Sequence, residues 1–320
     1  MQSLSERMQH IDRRWIYLVL AIVLVTSLIL GKPEDPIVLQ SVQQMYDAID
    51  RAPAGPDDGK LILVGTTFGA STLGENGNQA RAIFRHLMLR NKRFAVIAIG
   101  EPQGANFGPL IAGEVAAQYG REYGVDWIAL GYQLNGIPTF KSLLKDIPNF
   151  VPLDSLQQQP LSSYPIMRGI TSVQHDVPLM IELTASNSVL SWLAYVQPAT
   201  NPRLQIVYGC TGVMAAEAYP LLDSGQLSGM APGLKGAADY EKLVDRLETQ
   251  MIAQGAWPQE RAFQTGRSST LAGMGQSARQ YMFTQNSAHL AVLVFIVLGN
   301  IGLLLSRRKA RAVTEEDTNG

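Results

Sequence analysis

Two apolar segments, one near each end of the chain, stand out in the distribution of hydrophobic and polar residues. Residues 15–30 and 288–305 contain no Asp, Glu, Lys or Arg, whereas the chain between them mixes apolar and polar positions as folded domains do. A helix needs roughly 20 mostly apolar residues to cross the hydrocarbon core of a bilayer. We therefore predict a membrane-spanning helix at each segment, with the lipid bilayer as a partner of the chain.

Basic residues beside the two segments predict the orientation of the chain. Arg13 and Arg14 precede the first segment, and a cluster at 307–311 follows the second. The positive-inside rule then places both termini in the cytoplasm and the main domain on the periplasmic or extracytoplasmic side of the inner (cytoplasmic) membrane. A cleaved signal peptide is the alternative for the first segment, but residues 31–35 offer no small-x-small cleavage site.

These assignments divide the sequence into six regions. They are a cytoplasmic arm (1–14), a first span (15–31), an extracytoplasmic α/β domain (32–254), a juxtamembrane tether (255–287), a second span (288–306) and a basic, then acidic, cytoplasmic tail (307–320).

Five short apolar runs between the spans predict buried β-strands. They are rich in Ile, Val and Leu and end in glycine or small polar residues. Such nearly continuous apolarity is typical of strands covered on both faces, as in a parallel sheet. The runs are residues 61–65, 95–100, 127–131, 179–183 and 204–208.

Apolar residues at helical spacing lie between these runs and predict six helices. Asn76 or Asn78 is the predicted cap of the second helix, and Ser186 or Asn187 that of the fourth. Alternating strands and helices favour an α/β fold with a mostly parallel, helix-covered sheet, Rossmann-like in its three layers. The sequence does not reveal the strand order. Each predicted helix carries a stripe of apolar residues along one face, and the six apolar stripes begin at Val42, Ala80, Leu110, Val189, Met214 and Tyr240.

Two stretches interrupt the alternation of strands and helices. Residues 135–165 contain five prolines and predict a long flap over one side of the sheet. Residues 255–285 are polar and rich in Gly and Ser, with a weakly helical end at 277–283, and predict a tether to the second span.

Polar residues follow the predicted strands, where ligands bind in open α/β sheets. Glu101 and Glu182 are the acids at these strand ends and are candidates for a catalytic pair. The alternative is a structural role, in which both cap helices or lie hydrated in loops. The candidate ligand-binding residues are Thr66, Thr67, Ser71, Gln103, Thr184, Thr211 and Lys235.

Several classes of site lack their sequence patterns. The loop after residue 65 has neither the P-loop pattern nor G-x-G-x-x-G, so we predict no cofactor. Cys210 is the only cysteine, and it is expected to be a small buried residue rather than a nucleophile. The chain has no H-E-x-x-H and no paired cysteines, and we predict no metal site. The net charge of −1 gives no indication of nucleic-acid binding.

The stretch at 224–241 is the most distinctive, and its pattern predicts a short strand, a glycine-rich turn and a helix start. Asp239 and Glu241 would then lie in the first helical turn. Together with residues 117–124 and 164–170, this stretch resembles an uncharacterised bacterial family of membrane proteins. The resemblance implies an anchor at each end and an α/β body between them, and it implies no mechanism.

Two functions remain open from the sequence. The leading hypothesis is a non-catalytic scaffold, sensor or accessory subunit of a membrane complex. In that case Gly299, Asn300 and Gly302 could pack the second span against a membrane-protein partner. The alternative is a membrane-tethered enzyme or small-ligand receptor that uses the strand-end residues.

Overall fold

The structure, a computed structural model, divides the chain into two units. It describes residues 12–31, 33–263 and 277–318, with only the backbone of residues 306 and 308–318. One unit is Asp35–Arg279, and the other joins Met1–Glu34 to Gln280–Gly320. Most of the predicted cytoplasmic arm and residues 264–276 of the predicted tether lie outside the described residues.

Six strands form one sheet in the Asp35–Arg279 unit, in the order β3-β2-β1-β4-β5-β6. Every neighbouring pair is parallel, and the order reverses between β1 and β4. The five predicted strands are confirmed, because buried parallel strands produce continuous apolar runs. The strands are β1 (Ile62–Thr67), β2 (Phe94–Ile99), β3 (Trp127–Gln133), β4 (Leu179–Thr184), β5 (Gln205–Cys210) and β6 (Gly229–Pro232).

Helices cover both faces of this sheet, and a long apolar helix lies at each end of the chain. The helices are α1 (Arg13–Leu30), α2 (Gln40–Arg51), α3 (Asn78–Leu89), α4 (Gly104–Tyr119), α5 (Ile137–Lys145), α6 (Ile147–Phe150), α7 (Val173–Asp176), α8 (Ser188–Ser191), α9 (Ala215–Asp223), α10 (Gly233–Ala253) and α11 (Ala278–Thr318).

Five of the six predicted helical stripes are α-helices, and the fourth differs. There α8 has four residues and passes into a π-helical turn, Trp192–Val196. The predicted cap of α3, Asn76 or Asn78, is wrong because Gly77 is the N-cap residue, whereas Asn187 is the N-cap residue of α8 as predicted. Asn78 donates to the Gly74 carbonyl oxygen at 2.7 Å, and neither α3 nor α8 has a side-chain cap.

The stretch at 224–241 forms β6 and then α10 with no turn between them. Pro232 ends the strand and Gly233 begins the helix, so the predicted glycine-rich turn is wrong. Gly236 lies inside α10, where a Cβ atom would stand 2.4 Å from the Ala231 carbonyl carbon. The glycine therefore lets the helix pack against the strand that precedes it. The first turn of α10 contains no acid, because the helix begins earlier than predicted.

Two apolar cores flank the sheet. On one face, α2, α3, α4 and α10 pack against β-strand side chains such as Val64 and Val207. On the other face, the 135–165 segment packs with α8 and α9 against residues such as Ile97 and Met180. The predicted flap thus covers the sheet as expected, but it contains α5 and α6 and contributes buried side chains, among them Phe140.

The first part of the predicted tether packs on the α/β unit. Trp257 is buried, and the Arg85 guanidinium lies 4.3 Å from the centre of the Phe263 ring. The Phe263 N–H donates to a Glu248 carboxylate oxygen at 2.9 Å. Residues 255–263 therefore belong to the folded body, and the weakly helical end of the tether is the beginning of α11.

The helices α1 and α11 are long and apolar enough to cross a membrane by length and composition. None of the apolar window of α1 and 6% of that of α11 is buried. Within this unit, the Gln280 side-chain amide donates to the Leu28 carbonyl oxygen at 3.1 Å. The end of α1 therefore lies beside the beginning of α11.

Glycines allow α4 to approach the end of β1 closely. A Cβ atom on Gly104 would stand 1.7 Å from the Thr66 carbonyl oxygen, and one on Gly108 would stand 2.3 Å from the Thr66 hydroxyl oxygen. The Thr66 hydroxyl in turn donates to the Gly104 carbonyl oxygen at 3.0 Å. This contact fixes the start of α4 against the carboxyl end of β1.

We expect Gly104→Ala to lower the free energy of unfolding by about 1–3 kcal/mol, because the added methyl group overpacks a backbone contact. Gly74→Ala is the matched control, since no atom lies within 4 Å of the position of its Cβ. Urea unfolding of both variants measures the difference. Equal stability of the two variants would contradict the close approach of α4 to β1.

Candidate functional site

A cleft of about 400 Å³ opens at the carboxyl ends of the strands, where the strand order reverses. In open α/β sheets this position is the usual ligand site. We call it the switch-point cleft. Its lining comes from the loops after β1, β2, β3 and β4: Thr67, Phe68, Gly69, Ala70, Ser71, Thr72, Ile99, Gly100, Glu101, Gln103, Asn135, Ala185 and Ser186.

Hydrogen bonds between loops hold the rim of the cleft in place. The Ala70 N–H donates to the Gln103 side-chain oxygen at 2.8 Å, which joins the loops after β1 and β2. The Gln103 N–H donates to the Glu101 carboxylate at 3.0 Å. Gly100 has a φ of 81°, and its Cβ would stand 2.8 Å from the Cβ of Asn135, so glycine suits both the turn and the close approach.

Four of the predicted site residues line the cleft: Thr67, Ser71, Glu101 and Gln103. Among the lining residues, which the structure describes in full, Glu101 is the only titratable side chain. The cleft therefore offers one carboxylate together with hydroxyl and amide groups. Such a lining favours ligands with hydrogen-bond donors or a positive charge.

Glu182, the second candidate of the catalytic pair, does not line the cleft. It lies within β4 and is fully buried. Its carboxyl oxygens accept hydrogen bonds from the Ser188 hydroxyl at 2.6 Å and the Trp192 indole N–H at 3.1 Å. Burial raises the pKa of Glu182 to about 7, against the lowering effect of hydrogen bonds from Ser188, Thr67 and Trp192.

The environment of Glu182 favours the structural alternative over a catalytic pair. A Cβ atom on Gly65 of β1 would stand 2.0 Å from a Glu182 carboxyl oxygen, so the carboxyl group lies across the neighbouring strand. Thr67 is hydrogen-bonded to Glu182 and also lines the cleft. The carboxyl group thus lies behind the floor of the cleft, where it supports Thr67.

Two other threonines, predicted to bind a ligand, form hydrogen bonds within the fold instead. Thr66 is buried, and its hydroxyl is bonded to Gly104. The Thr184 hydroxyl lies 2.9 Å from that of Ser186 and accepts the Ser186 N–H at 2.9 Å. Thr184 therefore shapes the loop that carries Ser186 to the cleft.

The remaining candidates lie on other loops and helices. Lys235 is in the first turn of α10, where it forms an ion pair with Asp239 and donates to the Ile37 carbonyl oxygen at 2.6 Å. Thr211 is buried directly after β5. Cys210 is fully buried, and burial raises the pKa of its thiol to about 12, so it is an inert small residue as expected.

Sequence reasoning missed a buried amide at the ends of β5 and β6. The Gln79 side-chain N–H groups donate to the carbonyl oxygens of Cys210, Ala231 and Gly233 at 2.9–3.1 Å. Asn76 donates to Gln79 at 2.9 Å. Gln79 lies four residues before Ile83, in line with the apolar stripe that begins at Ala80, and a polar residue at such a position is the sequence signal that could have drawn attention to it.

No group of three or more His, Cys, Asp and Glu residues that could hold a metal ion occurs in the described parts of the chain. The switch-point cleft combines one carboxylate with neutral polar groups. Glu182, the second acid of the candidate pair, is buried and does not belong to this lining. The arrangement is therefore suited to binding a polar molecule.

We expect Glu182→Gln to change how stability depends on pH. Because the folded pKa lies above the ordinary value of 4.5, the Glu182 contribution to stability falls as the pH rises from about 4.5 to about 7. The variant should therefore gain up to about 3 kcal/mol relative to the natural chain between pH 5 and pH 8. Urea unfolding of both proteins across this range measures the gain. A difference that does not vary with pH would contradict the burial of an ionisable carboxyl group.

Comparisons with known proteins add no relative of this chain. No protein-family model, no curated protein and no solved structure matches it. The resemblance to a bacterial family of membrane proteins therefore stays a prediction.

Proposed function

We propose that the protein is a membrane-anchored sensor whose α/β unit binds a small polar ligand in the switch-point cleft. The observation that carries the proposal is the position of this cleft at the strand reversal, with a polar lining from four strand-end loops. Its volume of about 400 Å³ lies within the range of small-molecule sites.

The charge of the lining supports a class of ligand. Glu101 supplies a carboxylate, and no Lys, Arg or His lines the cleft. An anion placed there would lack a positive partner, whereas an amine or a polyhydroxyl compound would find acceptors. The ligand of the proposed sensor is therefore a neutral or cationic polar molecule.

The sealed position of Glu182 supports binding without catalysis. The membrane-tethered enzyme, the alternative from the sequence, would use Glu101 and Glu182 together, and the two side chains do not share the cleft. The Glu182 carboxyl oxygens instead accept hydrogen bonds from the Ser188 hydroxyl and the Trp192 indole N–H.

Membrane anchoring is supported by the exposed apolar surfaces of α1 and α11. Large apolar side chains such as Ile29 (69% exposed) and Leu290 (64% exposed) would be costly in water and are suited to lipid. The Asn286 side-chain amide donates to the Glu34 carboxylate at 2.9 Å, beside the Gln280–Leu28 contact. The basic residues beside the two apolar segments, Arg13 and Arg14 before the first and the cluster at 307–311 after the second, favour both termini in the cytoplasm and the α/β unit on the extracytoplasmic side.

A membrane-protein partner belongs to the same proposal. Asn300 is exposed on α11, and no atom lies within 4 Å of the position of a Cβ on Gly299. A small residue beside a polar amide favours close packing of a second helix in lipid.

Ligand binding is tested by thermal unfolding of the full chain with a panel of polyols, amines and nucleosides. A ligand at 100 times its Kd should raise the Tm by about 5–10 °C. Ser71→Trp should abolish that rise, because the indole fills the cleft. Ser162→Trp, on an exposed residue outside the cleft, is the control and should keep it. The proposal fails if every rise in Tm survives in Ser71→Trp.

Topology is tested by cysteine labelling in spheroplasts of a Gram-negative host. Cys210 is fully buried, so the natural chain should react little with a membrane-impermeant maleimide. Ser162→Cys should be labelled in intact spheroplasts, and Ser5→Cys should be labelled only after lysis. Labelling of both variants, or of neither, in intact spheroplasts would contradict the proposed orientation.

A further inference from the structure

A groove of about 480 Å³ crosses the amino ends of the strands, at the opposite edge of the sheet from the switch-point cleft. Its walls come from the end of α2 and from the segments that lead into β1, β4, β5 and β6. We call it the amino-edge groove. Its volume lies within the range of small-molecule sites.

The charged side chains that line the amino-edge groove are all basic. Arg51, Lys60 and Arg203 line it together with His175, and no Asp or Glu lines it. Apolar residues, among them Val177, form part of the walls. Walls of low dielectric constant focus the field of charges of one sign, so the groove attracts anions.

A buried amide holds the Arg203 guanidinium in place. Arg203 donates to the Gln197 side-chain oxygen at 2.6 Å. Gln197 is itself buried, and its amide nitrogen donates to the carbonyl oxygens of Leu204 and Gln226 at 2.9 and 3.1 Å. The guanidinium is therefore oriented by a neutral group that leaves its positive charge uncompensated.

The Lys60 ammonium group is only partly compensated by an acidic side chain. The Lys60 ammonium donates to the His175 carbonyl oxygen at 2.6 Å and lies 3.8 Å from an Asp176 carboxylate oxygen. Asp176 also accepts hydrogen bonds from Thr171. Among the described residues, no carboxylate lies within 4.0 Å of the Arg51 or Arg203 guanidinium.

We infer that the amino-edge groove binds a multiply charged phosphate compound of small-molecule size. Guanidinium groups match the oxygens of a phosphate in geometry and charge, and two of them face this groove beside a lysine. The site is separate from the switch-point cleft, whose lining favours the opposite charge.

Calorimetric titration of the full chain with inorganic pyrophosphate, in uncharged detergent, tests the inference. The natural chain should bind one pyrophosphate saturably. The double variant Arg51→Gln/Arg203→Gln should bind it at least about tenfold more weakly, because each guanidinium contributes a charged hydrogen bond. The double variant Lys141→Gln/Arg168→Gln removes the same charge from exposed residues outside the groove and should bind like the natural chain.

Two sources of the phosphate group are distinguished by repeating the titration with phosphatidylglycerol in the micelles. Unchanged pyrophosphate binding indicates a soluble phosphate compound. Competition that depends on Arg51 and Arg203 indicates a lipid headgroup, and both results support the anion site.

The inference is overturned if the natural chain shows no saturable binding of pyrophosphate, or if both double variants lose affinity equally. The circular dichroism and Tm of each variant show whether it is folded. Because the switch-point cleft is not altered, its ligand-induced rise in Tm should persist in Arg51→Gln/Arg203→Gln, and the two proposals fail independently.

Discussion

A buried carboxyl group lies between β1 and β4 at the point where the strand order reverses. Glu182 lies across Gly65 of the neighbouring strand and is hydrogen-bonded to Ser188 and Trp192, so it connects the sheet to the helical layer on one face. It is also bonded to Thr67, which lines the switch-point cleft. A charge in this position would be costly, and its raised pKa reflects that cost. The hydrogen bond to Glu182 holds Thr67 in place, and the shape of the cleft depends on Thr67 because this residue lines its floor.

The sequence predicted the strands well and the site only in part. Continuous apolar runs identify buried strands, since both faces of each strand are covered. Strand order depends on contacts between residues distant in sequence, and no pattern along one strand encodes it. Glu101 and Glu182 both occur near strand ends, yet one follows β2 and the other lies inside β4. Successive side chains of a strand point to opposite faces of the sheet. Thr66 is therefore fully buried, whereas its neighbour Thr67 lines the cleft.

The two edges of the sheet differ in charge, which suits them to different ligands. The carboxyl edge carries the cleft with Glu101, and the amino edge carries the groove with Arg51, Lys60 and Arg203. The helix α10 begins directly after β6 at the carboxyl edge. In its second half, α10 is joined to Arg279 by an ion pair of 3.2 Å through Asp245. A helix that begins at the carboxyl edge of the sheet and is ion-paired with Arg279 fits the proposed role of a sensor.

Infrared difference spectroscopy of the Glu182 carboxyl group tests the central claim most directly. Subtraction of the Glu182→Gln spectrum isolates this group from the other carboxyl groups of the chain. We expect a protonated carboxyl band that disappears with a midpoint near the pKa of about 7 that burial imposes on Glu182. A midpoint near 4.5, the ordinary value, would show a solvated carboxylate. That result would contradict the burial of the Glu182 carboxyl group behind the floor of the cleft.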